Sequence, residues 1–359
     1  MNCKPVFILF NVNKDANSFD EILGRQLSYV KSYRDFVGVH FSKPLILVSG
    51  AMIDPNKSSS LVELVGIDYR PINLFLFSLK ALRYLKRVKL QDENFYLVAG
   101  TPLQPLVIGR FLKSKLRNSK LQVSIHNDLR SWQGGGIKNL VKRVNFRFSI
   151  HKIDLFRFVS ANQREVAKDL YPIPEKKTVV CPIPLEFPST PTSYSYRSQP
   201  SLGFVGRVHS DRGVREWIEI ANMLKGFSYI VAGDGPMLEL FRRELKDATF
   251  KGRVLHKEIH EVYASISVLL SSAPLESYGL AIREALLFGV PVVTRKTSGT
   301  RELREKFPEI IAGYDTADEA ARAIAKFSGA IDARFFEEYR VWLQANQDKN
   351  LRELVAHWV

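Results

Sequence analysis

Cysteine is scarce in this chain of 359 residues, which contains only Cys3 and Cys181. The two stand far apart, in no C-x-x-C spacing and beside no histidine cluster, so the sequence argues against a disulfide framework or a structural zinc site. Both are interpreted as small buried residues of a reducing compartment. The chain also lacks an apolar run near the roughly 18–20 residues that span a bilayer, and its amino-terminal apolar run is too short for a signal-peptide core. We therefore expect a cytoplasmic protein that does not cross a membrane.

Acidic residues are scarce in the first half of the chain. Residues 1–190 contain 29 Lys or Arg and 15 Asp or Glu, whereas residues 191–359 contain 23 and 22. The extreme is residues 101–150, with ten basic residues and a single acidic one, Asp128. A basic face attracts nucleic acid, an anionic membrane surface or a phosphorylated substrate. An ordinary solvated face has the same charge, so charge alone does not choose among these.

Short apolar runs alternate with longer amphipathic stretches. Runs of this kind, bounded by turn residues, are typical of buried strands in parallel sheets that helices cover on both faces. The predicted strands are Val6–Phe10, Pro44–Ser49, Tyr96–Ala99, Val123–His126, Leu155–Ser160, Thr178–Val180, Leu202–Val205, Ser228–Ala232, Val268–Ser271 and Pro291–Thr294. Their number fits two sheets better than one, so the fold class is predicted to be α/β.

The segment Pro182–Pro200 is rich in Pro, Ser and Thr and shows neither helical nor strand periodicity. This composition predicts a linker between two domains. We place the domains at residues 1–190 and 191–332. An amphipathic tail with several aromatic residues follows at residues 333–359, and it needs a surface to pack on.

Two glutamates flank a predicted strand-loop-helix unit. Glu276 lies in the loop after one strand, Glu284 lies in the helix that begins near Gly279, and Gly289 ends that helix. Ligands bind open α/β sheets at such strand ends, and a helix N-terminus offers N–H groups to an anion. Carboxylates accept hydrogen bonds from sugar hydroxyls. Alternatively, Glu276 caps the helix and Glu284 is a solvated surface residue.

A second cluster follows the first strand of the second half. Gly206, Arg207, Arg212 and Gly213 precede a predicted helix, and guanidinium groups bind phosphate oxygens in a bidentate manner. A loop with surface arginines is the alternative interpretation. Two weaker loops follow later strands, G-D-G-P at 233–236 and T-S-G-T-R-E at 297–302.

The order G-x-V-G-R, G-D-G-P, E-x7-E, G-x-P-V-V and S-G-x-x-E resembles retaining glycosyltransferases of the GT-B fold, in the large family 4 group. The resemblance covers about residues 202–302 and is carried by the order and spacing of the five motifs. It implies two facing Rossmann-like domains with a cleft between them. The first would bind the acceptor, the second would bind the nucleotide sugar, and the tail would cross back to the first through Trp342 or Trp358.

The resemblance also implies a role for each matched residue. Arg207 and Arg212 would hold the donor diphosphate, and Glu276 would contact hydroxyls of the transferred sugar. Glu284 would accept the ribose hydroxyls, and His126 would lie near the donor sugar and the acceptor. The other implied donor-binding residues act largely through their backbones: Gly206, Gly233, Arg253, Val254, Ser277, Tyr278, Gly279 and Leu280.

The implied reaction is transfer with retention of anomeric configuration, in which the donor phosphate takes the acceptor proton. No metal or other cofactor is expected. The substrates would be a UDP- or GDP-linked sugar and a glycan or polyprenyl-linked acceptor, in surface polysaccharide or glycolipid synthesis. Two departures concern the sites. Arg212 stands where the family usually has lysine, and the first loop, Asn11–Ser18, lacks the glycines that the family often has there.

Other functions stay open at this point. A GT-B epimerase or a catalytically silent relative would also bind a sugar nucleotide. A nucleic-acid-binding protein would use the basic half, although no groove-reading motif is present and we expect no nucleic-acid partner. Residues 80–89, 113–120 and 138–152 mix basic and apolar residues, which fits helices on an anionic membrane as well as ordinary amphipathic helices. The oligomeric state is not predicted.

Overall fold

The computed structural model describes residues 4–9, 45–49, 63–68, 74–87, 95–100, 103–187, 199–255 and 258–357. The chain divides into two compact units. The first comprises Met1–Pro184 with Gln347–Val359, and the second comprises Leu185–Asn346. The break lies within the predicted linker. The acceptor and donor roles of the two halves stay predictions, and the first loop, Asn11–Ser18, lies outside the described residues.

The first unit contains a parallel sheet. Its described elements are β1 (Lys4–Leu9), β2 (Leu45–Ser49), β3 (Glu63–Asp68), α1 (Leu74–Arg87), β4 (Phe95–Gly100), α2 (Gln104–Lys115), β5 (Ser119–Ile125), α3 (Ile137–Ser149), β6 (Leu155–Phe158), α4 (Ala161–Leu170) and β7 (Thr178–Val180). The strand order is β3-β2-β1-β4-β5-β6-β7, and the pairings of these strands are all parallel.

The second unit contains another parallel sheet. Its described elements are β8 (Ser201–Val205), α5 (Val214–Asn222), β9 (Ser228–Ala232), α6 (Leu238–Glu244), β10 (Thr249–Gly252), α7 (Ile259–Ser265), β11 (Val268–Ser271), α8 (Leu280–Leu287), β12 (Val292–Arg295), α9 (Arg301–Lys306), β13 (Ile311–Tyr314) and α10 (Ala317–Phe327). The strand order is β10-β9-β8-β11-β12-β13, again with parallel pairings. The predicted α/β class with two parallel sheets is confirmed.

Three strands were not predicted: β3, β10 and β13. Each lies at an edge of its sheet. An edge strand has a neighbour on one side only, and its side chains need not be buried on both faces. In β10 the exposed and half-buried residues alternate, and its sequence TFKG contains no apolar run. Apolar runs therefore predict the central strands better than the edges.

The apolar strands of the second sheet contribute side chains to two cores, one on each face of the sheet. Leu269 and Val292 belong to the cluster under one face. Their chain neighbours Leu270 and Val293 belong to the cluster under the other. Successive strand residues point to opposite faces, so uninterrupted apolar runs serve both. Burial on both faces fixes these strands in the middle of the unit.

The chain reverses its direction of travel across the second sheet between β8 and β11. From β8 it proceeds outward to β9 and β10, and then returns to β11 on the other side of β8. Because all strands are parallel, the loops that follow them emerge at one edge. Ligands of open α/β sheets bind where the strand order reverses, since neighbouring loops separate there. The loops after β8 and β11 therefore define where a site is expected.

The tail forms one helix, α11 (Ala333–Ala356). Tyr339 is buried in the core of the second unit, and Trp342 packs against Phe307 with ring centroids 5.3 Å apart. At the far end of the tail, Tyr96 donates a hydrogen bond to the carbonyl of His357 at 2.7 Å within the first unit. Trp342 thus packs on the second unit, whereas the prediction was that it packs on the first. Trp358 lies outside the described residues. None of the helices in the described part of the chain is long and apolar enough to span a bilayer.

Candidate active site

Two loops pack backbone to backbone where the strand order reverses. The Ser272 hydroxyl, just after β11, donates to the carbonyls of Arg212 and Gly213, each at 3.0 Å. Gly213 has φ +65°, and a Cβ at this position would lie 2.1 Å from the Ser272 carbonyl oxygen. Only glycine accepts both that φ and that approach. The R-G pair of the second cluster therefore fixes the loop after β8 against β11.

This packing brings Arg212 and Glu276 together. Arg212 Nη1 donates to Glu276 Oε2 at 2.8 Å, and Arg212 is about one-third exposed whereas Glu276 is largely buried. Glu276 Oε1 accepts from the backbone N–H groups of Ser277 at 3.2 Å and Gly279 at 3.1 Å. One carboxylate oxygen thus holds the turn into α8, as the capping interpretation predicts. The other faces the guanidinium that was assigned to the diphosphate.

The Arg212 guanidinium keeps hydrogen-bonding capacity beyond this pair. A guanidinium has five N–H donors. The Nε atom is buried and has no hydrogen-bond acceptor among the residues described, and the Asp211 Oδ1 atom lies 4.0 Å from it. A buried donor without an acceptor is costly. The one-third-exposed guanidinium therefore has donor capacity that the described residues do not use.

A third loop supports Glu276 from the end of β12. The Gly299 N–H donates to the Glu276 carbonyl at 3.0 Å. A Cβ on Gly299 would lie 2.3 Å from that carbonyl oxygen and 2.5 Å from the carbonyl carbon of Ser277. Any larger residue would displace the loop that carries Glu276. The glycine of S-G-x-x-E therefore positions the carboxylate.

The remaining glycines join the loops after β8, β9 and β10. The Gly206 N–H donates to the Ala232 carbonyl at 3.0 Å, and the Gly233 N–H donates to the Gly252 carbonyl at 2.7 Å. A Cβ on Gly233, where φ is +147°, would lie 1.8 Å from the Gly206 carbonyl oxygen. The motif G-D-G-P thus packs directly on the backbone of G-x-V-G-R, and only a glycine at position 233 allows this approach.

Other predicted site residues lie apart from this pair. Arg207 is exposed, and its Nη2 atom contacts Asp211 Oδ2 at 3.1 Å instead of reaching Glu276. Arg253 is exposed after β10, and Val254 packs against the core of the second unit. Leu280 is exposed as the first residue of α8. These residues stay candidates for donor contacts.

Glu284 is 8% exposed and therefore is not the solvated surface residue of the alternative interpretation. Its Oε2 atom accepts from the Tyr263 hydroxyl, on α7, at 2.9 Å. Burial, followed by the charge of Glu284, raises the pKa of Tyr263 well above its usual value. The Tyr263 hydroxyl therefore stays protonated at neutral pH and donates the hydrogen bond that orients the Glu284 carboxylate. Sequence reasoning missed Tyr263, because no motif marks it and only the fold brings α7 to α8.

We expect Tyr263→Phe to destabilise the protein by about 1–3 kcal/mol, because it removes a donor from a buried carboxylate. Nucleotide affinity should fall as well if Glu284 contacts the donor. Urea unfolding and isothermal titration with nucleotide measure the two effects.

Tyr229→Phe is the matched control, because each hydroxyl contacts two acceptors. Tyr263 also contacts the Ala281 carbonyl at 3.2 Å, and Tyr229 contacts the carbonyls of Ala221 at 2.8 Å and Leu224 at 3.0 Å. This variant should lose stability while keeping nucleotide affinity. Equal affinity losses in both variants would contradict a specific role of Tyr263.

A buried cation stands beside the turn into α8. Arg283 is 3% exposed, and its guanidinium lies 3.8 Å from the centroid of the Tyr278 ring. Tyr278 is itself buried, and the Tyr339 hydroxyl donates to the Arg283 carbonyl at 3.2 Å. A cation over an aromatic face is attracted to it. Arg283 was not predicted, and it packs on the Tyr278 ring of the predicted donor segment Ser277–Leu280.

His126 belongs to the first unit, directly after β5. Its side chain is half-buried, and burial lowers its pKa to about 4. The loop is held by the Gln163 amide, which donates to the Asn127 carbonyl at 2.8 Å. At neutral pH the imidazole is uncharged, so it can act as a neutral hydrogen-bonding group.

The depressed pKa of His126 makes a prediction about stability. The folded state favours the neutral imidazole. The contribution of His126 to the free energy of unfolding is therefore full above the ordinary pKa of about 6.5, and it is lost as the pH falls towards about 4. One group can contribute a slope of at most about 1.4 kcal/mol per pH unit. Urea unfolding between these pH values should show a shallower loss in His126→Gln than in the wild type. His151→Gln, at an exposed position of the same unit, should match the wild type. Parallel profiles for all three proteins would contradict the assignment.

Comparison with known proteins identifies the second unit. Residues 199–328 match the family model "Glycosyl transferases group 1". A GDP-mannose-dependent alpha-mannosyltransferase of Corynebacterium glutamicum is 30% identical over 102 residues, which are 28% of this chain and 24% of that protein. A 2-deoxystreptamine glucosyltransferase of Streptomyces kanamyceticus is 29% identical over 138 residues, 35% of this chain and 36% of that protein. The matches thus span about a quarter to a third of each relative.

Solved structures match over nearly the whole chain. Sucrose-phosphate synthase of Thermosynechococcus elongatus has a TM-score of 0.74 at 14% identity, covering 99% of this chain and 100% of that one. The Anabaena protein HepE, in complex with UDP-glucose, has a TM-score of 0.70 at 14% identity, covering 98% and 99%. The fold is therefore that of GT-B glycosyltransferases. Residues 199–328 match the group 1 glycosyl transferase family, as the motif order predicts.

Proposed function

We propose that this protein is a retaining glycosyltransferase that moves a sugar from a UDP- or GDP-linked donor to a glycan or polyprenyl-linked acceptor. The observation that carries the proposal is the pair Arg212–Glu276, with N–O 2.8 Å, at the strand-order reversal of the group 1 domain. A cation for a diphosphate and a carboxylate for sugar hydroxyls stand next to each other there. The similar mannosyltransferase of Corynebacterium glutamicum is GDP-mannose-dependent, and HepE was solved with UDP-glucose, so both bases are retained as candidates.

The proposed donor lies along the loops in a definite order. Its diphosphate would contact the free donors of Arg212, its sugar would reach Glu276, and its ribose would reach Glu284. The N-terminus of α8 would add its positive end to the diphosphate site. Arg207 would join by leaving Asp211, because its exposed ion pair is worth little in water.

In the proposed reaction an acceptor hydroxyl attacks the anomeric carbon on the face that the diphosphate leaves. The bond from that carbon to the diphosphate oxygen breaks, and the acceptor proton passes to a phosphate oxygen. The products are the glycoside, with its configuration retained, and a nucleoside diphosphate. Arg212 stabilises the charge that grows on the leaving group, which is the kind of interaction that contributes most in such sites. We propose that the reaction needs no metal.

Nucleotide binding tests the proposal first. Purified protein would be melted with UDP, GDP, ADP and their sugar conjugates, in EDTA and then with added Mg²⁺. A ligand that binds only the folded state raises the melting temperature. We expect a shift with UDP or GDP compounds that is unchanged by EDTA. No shift with any compound would contradict the donor site.

Product analysis tests the reaction. With the donor that binds, we expect slow release of nucleoside diphosphate without acceptor, and faster release with a polyprenyl-linked or soluble glycan acceptor. The anomeric configuration of the product, read by NMR, should equal that of the donor. Interconversion of the donor sugar without an acceptor would instead identify an epimerase, and binding without turnover would identify a silent relative.

A further inference from the structure

Helix α3 exposes an apolar stripe to solvent. The exposed residues are spaced i, i+3, i+4, i+7 and i+11, which places them on one face of a helix. The exposed fractions are 81% for Ile137, 50% for Leu140, 47% for Val141, 44% for Val144 and 66% for Phe148. A surface helix normally turns such a stripe towards the core. An exposed patch of this kind marks an interaction site.

The opposite face anchors α3 firmly to the first unit. Phe146 is fully buried and makes edge-to-face contacts with Trp132, Phe156 and Tyr171 at centroid distances of 5.6, 6.1 and 4.9 Å. Ser149 is also buried and accepts a hydrogen bond from Arg110 at 2.9 Å. Each residue turns a helix by about 100°, which places Phe146 opposite the stripe. The face with Phe146 and Ser149 therefore packs on the first unit, and the apolar stripe on the other face is exposed to solvent.

Cations border the stripe on both sides. By the same rotation, Lys138 and Lys142 lie along one flank, and Arg143 and Arg147 lie along the other. Arg143 donates to the Trp132 carbonyl at 2.7 Å, which holds that flank in place. The helix contains no Asp or Glu, and in the described part of the chain no acidic side chain pairs with Lys138, Lys142 or Arg147. The stripe and its two basic flanks together are called the α3 face.

We propose that the α3 face docks on the surface of an anionic lipid bilayer. The apolar side chains would enter the boundary between headgroups and acyl chains, and the four cations would contact lipid phosphates. This assignment does not depend on the proposed glycosyl transfer.

Charge complementarity selects this occupant over two others. A second copy of the chain, paired symmetrically through the same face, would set cations against cations. A nucleic acid would satisfy the cations but would leave five apolar side chains against a phosphate backbone. A bilayer with anionic headgroups offers an apolar layer and a layer of negative charge in the order that the α3 face requires.

Vesicle co-sedimentation of the full chain tests the proposal. We expect binding to vesicles of phosphatidylcholine mixed with phosphatidylglycerol, and much weaker binding to phosphatidylcholine alone. Adding salt should weaken the binding, since exposed charges are screened. The double variant Ile137→Ser/Phe148→Ser should bind at least about tenfold more weakly, because it removes two large side chains from the apolar layer. Lys138→Gln/Arg147→Gln should lose the preference for anionic vesicles.

Two controls make the result specific to α3. Val341→Ser removes another exposed apolar side chain, which is 63% exposed on α11, and Lys225→Gln/Lys326→Gln removes two exposed cations of the second unit. Both should bind vesicles like the wild type. Melting temperatures and nucleotide-induced shifts should be unchanged in all four variants, because the altered side chains are exposed. The nucleotide-induced shifts thus measure donor binding independently of vesicle binding, so the proposed donor site and the proposed membrane contact are tested separately.

Two results would overturn the proposal. One is a wild-type protein that ignores anionic vesicles at low salt. The other is undiminished binding by Ile137→Ser/Phe148→Ser, which would place the lipid contact elsewhere. A wild type that self-associates in analytical ultracentrifugation without binding vesicles, and a serine variant that stays monomeric, would identify a second copy of the chain as the occupant instead.

Discussion

Replacing Arg212 with glutamine is expected to lower kcat/KM for nucleoside diphosphate release by about 10²–10³-fold, the usual cost of losing one donor to transition-state charge. The physical reason is the position of the guanidinium at the strand-order reversal, with Nη1 on Glu276 and other donors left for a diphosphate. The loss should fall on kcat as well as KM, since charge grows on the leaving group during the reaction. Arg212→Lys should recover part of the rate, because it keeps the charge but not the fork.

The variant should still fold. Glu276 keeps its bonds to the N–H groups of Ser277 and Gly279 when Arg212 is absent, so its carboxylate is not left without partners. Arg242→Gln is the matched control, since Arg242 is exposed in the same unit and is paired with Glu239 at 2.6 Å. It should keep the wild-type rate. An Arg212→Gln enzyme within twofold of the wild type would show that the diphosphate binds elsewhere.

Changing Glu276 is expected to abolish most transfer while leaving nucleotide binding measurable. Two variants separate the role of the negative charge from the role of the side chain as a cap on the turn into α8. In Glu276→Gln the amide oxygen can still accept from the Gly279 N–H, so the turn into α8 survives and only the charge is lost. In Glu276→Ala the cap is lost too, which should cost about 1 kcal/mol of additional stability. Both should lose transfer, whereas only the alanine variant should melt markedly lower.

The ion pair adds a sharper expectation for Glu276→Gln. In the wild type the carboxylate neutralises the guanidinium that a diphosphate needs, so free UDP or GDP has to compete with Glu276 for Arg212. Removing the negative charge should therefore increase the affinity for the free nucleoside diphosphate, while the rate of transfer from the sugar conjugate falls. Isothermal titration and product release measure the two quantities. Glu239→Gln, at an exposed carboxylate of the same unit, serves as the control. Full transfer activity in Glu276→Gln would remove the carboxylate from the proposed mechanism.

The central strands of both sheets could be predicted because burial on two faces demands uninterrupted apolar residues. Three of the four edge strands could not, as β10 illustrates, where exposed and half-buried residues alternate. Helix α8 was predicted to lie between Gly279 and Gly289 and is found at Leu280–Leu287. Its preceding glycine adopts φ +72° and its following glycine φ +76°. Local backbone chemistry of this kind is visible in a sequence.

From residue spacing alone, the candidate site was predictable only where its residues are close in sequence, and the resemblance added Arg212, Glu276 and Glu284 as members of one donor site. Spaced glycines marked the loops, and the structure shows that these glycines allow one loop backbone to press on another, as Gly299 does on Glu276. The pairing of Arg212 with Glu276 and of Tyr263 with Glu284 joins residues of separate elements. No spacing rule connects them, because the folded sheet sets those distances.

By itself the sequence determined the α/β class, the group 1 domain and the loops that carry charge, because apolar runs and glycine positions act locally. Only the tertiary structure decided which face of each amphipathic helix meets solvent. Three basic and apolar segments fitted a membrane equally well. In two of them apolar residues such as Leu85 and Leu116 are buried, whereas in α3 the stripe from Ile137 to Phe148 is exposed. Helical periodicity marks two faces, but the packing of the whole unit chooses the one that is buried.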